Sequence, residues 1–259
     1  MRQGFLFVAA LAAVAVSAGT AASERLVASL STHRVQVTSN FTGEELVLFG
    51  GIETDAATQP RRSGHDIVVT VAGPRQTAVT YRKERMLGIW VNSDARVFED
   101  SPAYVAVLSN RPLDAIASSE TLRRLQIGLE NIPLLQRASV NIAEAGSDDP
   151  FRMAFIKIKS DQGLYREVSN GVTFLAPTLF RASIPLPADV PVGTYEVDVR
   201  LFADGTEIAR RPAPFEVYKS GIEQTVTTAA RDHGILYGLT VASIALLTGW
   251  LASVIFRRD

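Results

Sequence analysis

Few residues in this sequence could carry acid–base or metal chemistry. Its three histidines are His33, His65 and His233, and they form no H-x-x-x-H or H-x-H arrangement. A metal or acid–base site needs ligands that converge, and this spacing does not imply convergence. The chain has no cysteine, which excludes disulfides, thiolate metal sites and cysteine nucleophiles. We therefore expect no metal site at the histidines.

Other catalytic signatures are also missing from the sequence. It contains no G-x-S-x-G, no G-x-x-x-x-G-K-[ST] and no S-x-x-K motif. Adjacent carboxylates in a turn normally point apart into water, and isolated basic pairs are usually solvated surface. We predict a protein that is not an enzyme and holds no cofactor. The adjacent like charges are Glu44-Glu45, Arg61-Arg62, Arg123-Arg124 and Asp148-Asp149.

The amino-acid composition further narrows the possible classes of protein. The 259 residues include 26 Lys and Arg against 27 Asp and Glu, so no basic field is available for nucleic acid. A hydrophobic content of 47% is ample for packed cores. The absence of disulfides is compatible with export when the core is large.

The N-terminus has the features of a secretory signal peptide. Arg2 precedes an uncharged run from Gly4 to Ala18, and small residues continue to Ala22. This is the order that a signal peptidase recognises, and the apolar run is short for a membrane span. We predict a signal peptide at residues 1–22, with cleavage after Ala18 as the alternative.

The C-terminus has the features of a membrane span. Residues 234–256 form 23 positions without a charged side chain. A helix of that length measures about 34 Å, enough for a hydrocarbon core of about 30 Å. Arg257 and Arg258 indicate the cytoplasmic side, and Tyr237 and Trp250 lie at interfacial depths. We predict one transmembrane helix, a cytoplasmic tail at 257–259, and the bulk of the chain in the periplasm of a bacterium, anchored in the inner membrane.

Small residues recur along one side of the predicted span. Their spacings of three and four place them on one helix face, which allows another helix to approach closely in lipid. We predict that this face packs against a polytopic membrane protein or a second copy of the chain. The face consists of Gly234, Gly238, Ala242, Ala245, Gly249 and Ser253.

Between the two ends the pattern predicts a mainly β fold. Apolar residues alternate in short runs separated by turn residues, which is typical of an immunoglobulin-like sandwich. We predict a first β-sandwich domain at 23–110. Its strands are expected at 34–38, 46–49, 66–71, 78–81, 87–91 and 104–108. Pro112 then breaks the pattern, and Ser118 or Ser119 can cap a short helix, which predicts a helical connector at 111–137.

A second β-region is predicted at 138–218. Asp149-Pro150 favours a helix start, with Phe151, Ala154, Phe155 and Ile158 on its buried face, although the same segment also alternates like a strand. Residues 179–184 and 195–201 alternate as strands. Asp204-Gly205 indicates a hairpin, and residues 191–195 have the pattern of a tyrosine corner. One continuous sandwich with strands from both halves is the alternative. A juxtamembrane segment at 219–233, helix or spacer, leads to the span.

Several of these stretches together resemble a family of alphaproteobacterial transmembrane proteins (Alph_Pro_TM). They are residues 37–43, 48–50, 163–165, 179–182 and 191–195 and the tail from Tyr237-Gly238 through Gly249-Trp250 to Phe256-Arg257-Arg258. The resemblance implies a periplasmic domain with one C-terminal span and brings no catalytic residues. It also implies proximity to anion-exporting permeases of the sulfite exporter type.

Two functions follow as hypotheses. The first is a non-enzymatic accessory protein that docks its small-residue face on such a permease. The second is a periplasmic small-ligand-binding or sensing module, with the ligand between the β-regions.

Overall fold

The computed structural model describes residues 24–53, 64–138, 141–219, 230–231 and 233–255. The predicted signal peptide at 1–22, the Arg61-Arg62 pair, most of the juxtamembrane segment, and Arg257 and Arg258 lie outside the described residues.

The described chain is mainly β, as predicted. The predicted strands are present except at the start of the one expected at 87–91, where the prediction was wrong because Leu87 and Gly88 form a turn before the strand that begins at Ile89. Further strands lie at 25–30, 135–138, 141–144, 165–169, 172–176 and 215–219. In chain order the strands are β1 Arg25–Leu30, β2 Arg34–Val37, β3 Glu44–Glu53, β4 Asp66–Ala72, β5 Arg75–Met86, β6 Ile89–Pro102, β7 Val105–Ser109, β8 Leu135–Ala138, β9 Asn141–Glu144, β10 Tyr165–Ser169, β11 Val172–Ala176, β12 Leu179–Leu186, β13 Gly193–Ala203, β14 Thr206–Pro212 and β15 Phe215–Lys219.

Helices begin where the local sequence predicts them. Ser118 Oγ accepts a hydrogen bond from the Thr121 amide, and Asp149 caps a longer helix by accepting from the amides of Phe151 and Arg152. The helices are α1 Leu113–Ile116, α2 Ser119–Arg124, a 3₁₀ helix Leu129–Asn131, α3 Pro150–Asp161 and α4 Gly234–Ile255.

The sheets take strands from both halves of the chain. One sheet has the order β1-β3-β12-β11, and a second has the order β10-β7-β4-β13-β15-β2 with β14 paired to β13. Each contains strands from 23–110 and from 138–218, the arrangement of one continuous sandwich. We call these two sheets the sandwich. A third sheet, β5-β6-β8-β9, is attached to it.

A single hydrophobic core joins the two sheets of the sandwich. Leu48 of β3, Val69 of β4 and Phe180 of β12 are all fully buried in it. The ring of Phe180 occupies the space beside Gly50, where a Cβ would lie 2.1 Å from its Cζ atom. Gly50 is therefore required by the close approach of an aromatic ring.

The strand register defines two ends of the seven-stranded sheet. Ala72 pairs with Glu196 and Val105, and Gly193 pairs with Val217, so these residues lie at one end with Lys219. We call this the Lys219 end. Asp66 pairs with Phe202 at the opposite end, which we call the Asp66 end.

Buried tyrosines hold the Lys219 end together. Tyr195 donates a hydrogen bond of 2.6 Å to the Pro191 carbonyl, which is the predicted tyrosine corner, and its ring stacks on Phe215 at 4.8 Å. Tyr104 donates to the Pro185 carbonyl at 2.5 Å and Tyr165 to the Pro102 carbonyl at 2.7 Å. Burial raises the pKa of all three phenols well above its ordinary value.

Helix α3 packs differently from its predicted face. Phe151 and Phe155 are buried as expected, but Ile158 is 48% exposed and the prediction for it was wrong. Arg152 is buried instead, because its Nη2 donates to the carbonyls of Glu130 and Ile132 at 2.7 Å each. Helix α3 is thus oriented with Arg152 toward the 3₁₀ segment, whose carbonyls need hydrogen-bond donors.

Two hairpins have turns with positive φ at both central residues. Asp204 and Gly205, at φ +50° and +77°, join β13 to β14, which confirms the predicted hairpin. Leu87 and Gly88, at φ +50° and +85°, join the long strands β5 and β6.

Candidate functional site

A pocket of about 360 Å³ lies at the Asp66 end. The start of β4, the segment from Arg111 to Ser118 and the β13–β14 turn form its walls. Its lining residues are Asp66, Arg111, Asp114, Ala115, Ile116, Ala117, Ser118, Asp204 and Gly205.

The floor of the pocket is a two-point ion pair between Asp66 and Arg111. Arg111 Nε donates to Asp66 Oδ1 at 2.6 Å and Nη2 donates to Oδ2 at 2.5 Å. Asn110 Nδ2 donates a third hydrogen bond to Oδ1 at 3.0 Å, while Asn110 Oδ1 accepts from the Ile67 amide at 2.9 Å. The hydrogen bond to Asp66 raises the pKa of Arg111. The carboxylate is therefore fully occupied by partners of its own chain.

A second polar pair lies next to this one in the chain. His65 Nε2 is 3.0 Å from Oε2 of Glu24, and the Glu24 side chain is buried. The pair connects the residue before β4 to the residue before β1. The pair thus links a strand of one sheet of the sandwich to a strand of the other.

Ser118 is the one hydroxyl-bearing residue among those that line the pocket. Ser118 Oγ is engaged as the cap of α2 and lies 3.0 Å from Thr121 Oγ1, with no imidazole among the lining residues. Three aspartates face one arginine, so the charge of the lining favours a polar or cationic group over an anion.

The other candidate groups from the sequence do not converge. His33 and His233 are exposed, as are Glu44 and Glu45. In the part of the chain that the structure describes, no three His, Asp or Glu side chains come together as a metal site would require. Asp149 caps α3, and Arg123 pairs with Glu120 at 2.6 Å. These residues serve local structure.

The small-residue face lies on α4, a helix of 22 residues. Apart from the adjoining backbone of its own helix, a Cβ at Gly234, Gly238 or Gly249 would meet no atom of the described chain within 4 Å. Ala242, Ala245 and Ser253 are exposed along the same side, within an arc of about 100°.

Two hydroxyl groups of α4 donate hydrogen bonds to the backbone of their own helix. Ser243 Oγ donates to the Leu239 carbonyl at 2.8 Å, and Thr248 Oγ1 donates to the Ile244 carbonyl. Tyr237 and Trp250 are exposed on the helix, Trp250 by 64%. Among the described residues, no helix meets the length and apolar character needed to cross a membrane.

Comparison with known families gives one match over nearly the whole chain. The family described as "Putative transmembrane protein (Alph_Pro_TM)" matches residues 25–258. The chain belongs to this family. No curated protein matched the chain, and neither did any solved structure.

Membership in Alph_Pro_TM agrees with the resemblance drawn from the sequence and covers every described strand and α4. Sequence reasoning did not find the Asp66–Arg111 pair. Asp66 is the first residue of β4 and Arg111 follows β7, and these two strands are neighbours in the sheet. The pair could therefore be predicted only after the strand pairing was known. The exposed β5–β6 turn was also missed, because its apolar residues read as an ordinary strand.

Proposed function

We propose that this Alph_Pro_TM protein is a non-enzymatic accessory protein, anchored in a bacterial inner membrane by residues 234–256 with its sandwich in the periplasm. Its partner would be a polytopic anion permease of the sulfite exporter type, as the family resemblance implies. The observation that carries the proposal is α4, whose small-residue face is open along its whole length.

The anchor rests on the sequence of 234–256. These 23 residues carry no charge and are followed by two arginines. The run also includes residues that the structure does not fully describe. These are the side chains of Leu236 and Val254 and all of Phe256. The i−4 hydrogen bonds of Ser243 and Thr248 support the proposal, because hydroxyls in hydrocarbon need a partner inside the helix.

The accessory role rests on the open face of α4. A row of glycine and alanine allows a second backbone to approach, and in lipid such packing replaces the hydrophobic effect between helices. The sandwich supplies no competing occupant, because no described residue lies within 4 Å of a Cβ placed at Gly238 or Gly249. A larger side chain at either position is therefore tolerated by the chain itself.

Topology is tested by protease digestion of spheroplasts that express the full chain with a C-terminal epitope. We expect the sandwich to be digested and a short epitope-bearing fragment to survive until the membrane is permeabilised. Digestion of the epitope in intact spheroplasts would contradict the anchor.

Docking is tested by co-purification from native membranes in mild detergent. The double substitution Gly238→Leu with Gly249→Leu should remove the partner, because it fills the open face. Thr240→Leu places a leucine on the opposite side of α4 and should leave the partner bound. Full recovery of the partner by the double variant would show that the helix face does not dock it.

A small-ligand-binding module is the second candidate. The pocket above Asp66 and Arg111 favours it, since its volume of about 360 Å³ suits a small solute. Its lining charge points to a cationic or polar ligand, which differs from the anion that a sulfite-type pathway would supply.

Thermal unfolding of the full chain in detergent, measured against a panel of amines and small anions, distinguishes the two candidates. A ligand at about 100 times its dissociation constant adds roughly 2.7 kcal/mol to the free energy of unfolding. Stabilisation by amines that Asp114→Asn weakens would favour the pocket, whereas no shift across the panel would leave the accessory role.

A further inference from the structure

The outer part of the β5–β6 hairpin is the most exposed apolar feature of the sandwich and its attached sheet. Beyond the irregularity between Arg82 and Lys83, the two strands pair only with each other. We call residues 83–92 the hairpin tip. Its large apolar side chains are Met86, Leu87, Ile89 and Trp90, with 57%, 104%, 64% and 69% of their surface exposed. Met86 and Ile89 pair with each other on one face of the hairpin and Trp90 lies on the other, so exposed apolar side chains surround the turn. Apolar side chains that are grouped and exposed in this way mark a contact surface.

The turn residue Leu87 is unfavourable for the isolated hairpin. It has a φ of +50°, a conformation in which the Cβ of leucine crowds the backbone. A two-residue turn with both φ values positive favours Asn-Gly or Asp-Gly. Leu87 also contributes nothing to the core, since it is fully exposed. Leu87 is thus unfavourable in its turn and adds nothing to the packing of the fold. This combination indicates that the side chain is selected for a contact outside the chain.

Basic side chains flank the apolar tip. Arg85 lies directly opposite Trp90, and Lys83 lies opposite Asn92, so Lys83, Arg85 and Trp90 share one face. Among the described residues neither cation forms an ion pair, and Glu84 on the other face is the only acid of the tip. Aromatic and aliphatic side chains beside free cations are the composition of segments that enter an anionic lipid interface.

The hairpin leaves the sandwich at the end from which the chain continues toward α4. Two residues separate Arg75 from the last residue of β4 at the Lys219 end, and β15 stops there at Lys219. Residues 220–233 can extend at most about 50 Å, and a 12-residue strand such as β5 spans about 40 Å. The length of the hairpin is therefore comparable to the greatest distance at which the linking segment could hold this end from such a surface.

The base of the hairpin is firmly attached. Fully buried Phe98 of β6 contacts Phe155 of α3 with ring centroids 4.9 Å apart, and Arg82 and Arg96 both lie over the ring of Phe151. Tyr165 donates to the carbonyl of Pro102 at the end of β6. A contact made by the tip would thus fix the orientation of the whole sandwich.

We propose that the hairpin tip is a second membrane contact, in which Trp90, Leu87, Ile89 and Met86 enter the interface of a bilayer and Lys83 and Arg85 bind anionic phospholipid headgroups. The position of the tip rests on the proposed anchor, but the contact itself does not require it. The sandwich would then be held at two points, by its tether and by the hairpin.

The two tryptophans of the chain, Trp90 and Trp250, report the two contacts separately. The full chain with Trp250→Phe is reconstituted in vesicles of phosphatidylethanolamine and phosphatidylglycerol, and Trp90 emission is compared with that in the same lipids brominated near the top of the acyl chains. We expect bromination to quench the emission by about half, because interfacial side chains reach the acyl boundary. Trp90→Phe gives the same measurement for Trp250.

Substitutions define the contact further. Leu87→Asp should abolish quenching of Trp90, and Lys83→Gln with Arg85→Gln should reduce it, as should vesicles of phosphatidylcholine alone. Ile142→Asp introduces the same charge at an exposed position of β9 and should have no effect.

Each outcome decides one contact. Quenching of Trp250 but not of Trp90 overturns the hairpin contact and leaves the anchor. Quenching of Trp90 but not of Trp250 supports the hairpin contact and overturns the anchor. Trp90 emission shifted to shorter wavelength but unaffected by brominated lipid would mean that protein covers the tip, which overturns the lipid contact.

Discussion

At the Asp66 end of the sandwich, the buried carboxylates are bound by side chains of the same protein, Asp66 by Asn110 and Arg111 and Glu24 by His65. The hairpin that starts at the Lys219 end exposes large apolar side chains at its tip. Polar groups that are satisfied internally serve the fold, whereas apolar groups left in water are available to a partner. The comparison favours interaction at the hairpin tip.

The largest effect expected is unfolding at alkaline pH, which tests how firmly the Lys219 end supports its hairpin. The folded pKa values of Tyr104, Tyr165 and Tyr195 are raised by burial, whereas the unfolded values are about 10. Below pH 10 the phenols are neutral in both states and stability is unaffected. Above it the unfolded chain releases protons first, so the free energy of unfolding falls by about 1.4 kcal/mol per pH unit for each tyrosine.

Absorbance of phenolate and circular dichroism, followed together in detergent, measure this prediction. We expect the three buried tyrosines to ionise in the same step in which structure is lost. Tyr81→Phe removes an exposed phenol and should lower the early absorbance change only. Ionisation of all tyrosines near pH 10 without unfolding would contradict the burial of these rings.

Tyr195 supplies the next largest effect. Tyr195→Ala removes a ring that stacks on Phe215 and lies 5.7 Å from Tyr104, so we expect a loss of about 3–5 kcal/mol in urea unfolding. Tyr195→Phe keeps the ring and removes only the hydrogen bond to Pro191, at a cost of about 1–2 kcal/mol. Equal costs would show that the hydrogen bond, and not the ring, holds the corner.

The Asp66 end should be less sensitive. Asp66→Asn removes the charge and one of the oxygens that bind Arg111, and we expect a loss of about 1–3 kcal/mol by the same urea measurement. Asp114→Asn alters an exposed residue of the same pocket and should change stability by less than about 0.5 kcal/mol. A loss from Asp66→Asn as large as that from Tyr195→Ala would remove the difference between the two ends.

The fold was predictable where the signal is local. Asp204-Gly205, Asp149-Pro150 and Ser118 each specify a turn or a cap through a few neighbouring residues, and the structure has all three. The pairing of β12 with β3 and of β10 with β7 was not predictable, because strand partners are chosen by packing across the whole core. Short strands such as β15 also show too few alternations to be recognised.

Candidate contacts were predictable to different degrees. The face of α4 follows from helical periodicity alone, whereas the Asp66–Arg111 pair joins positions 45 residues apart and needed the sheet order. Leu87-Gly88 read as part of a strand, because leucine is a poor indicator of a turn with positive φ. The mismatch between residue and turn became visible only in the folded chain.

The smallest effect predicted for a change in the fold concerns that mismatch. It separates the stability of the hairpin turn from the contact of the tip with lipid. Leu87→Asn relieves the positive φ and should raise the free energy of unfolding by up to about 1 kcal/mol, while reducing the quenching of Trp90 by brominated lipid. Leu87→Ile keeps an apolar side chain but adds β-branching, so it should lower stability and retain the quenching. If Leu87→Asn instead destabilised the protein, the tip would be packing within the chain, and its exposure would no longer distinguish it from the Asp66 end.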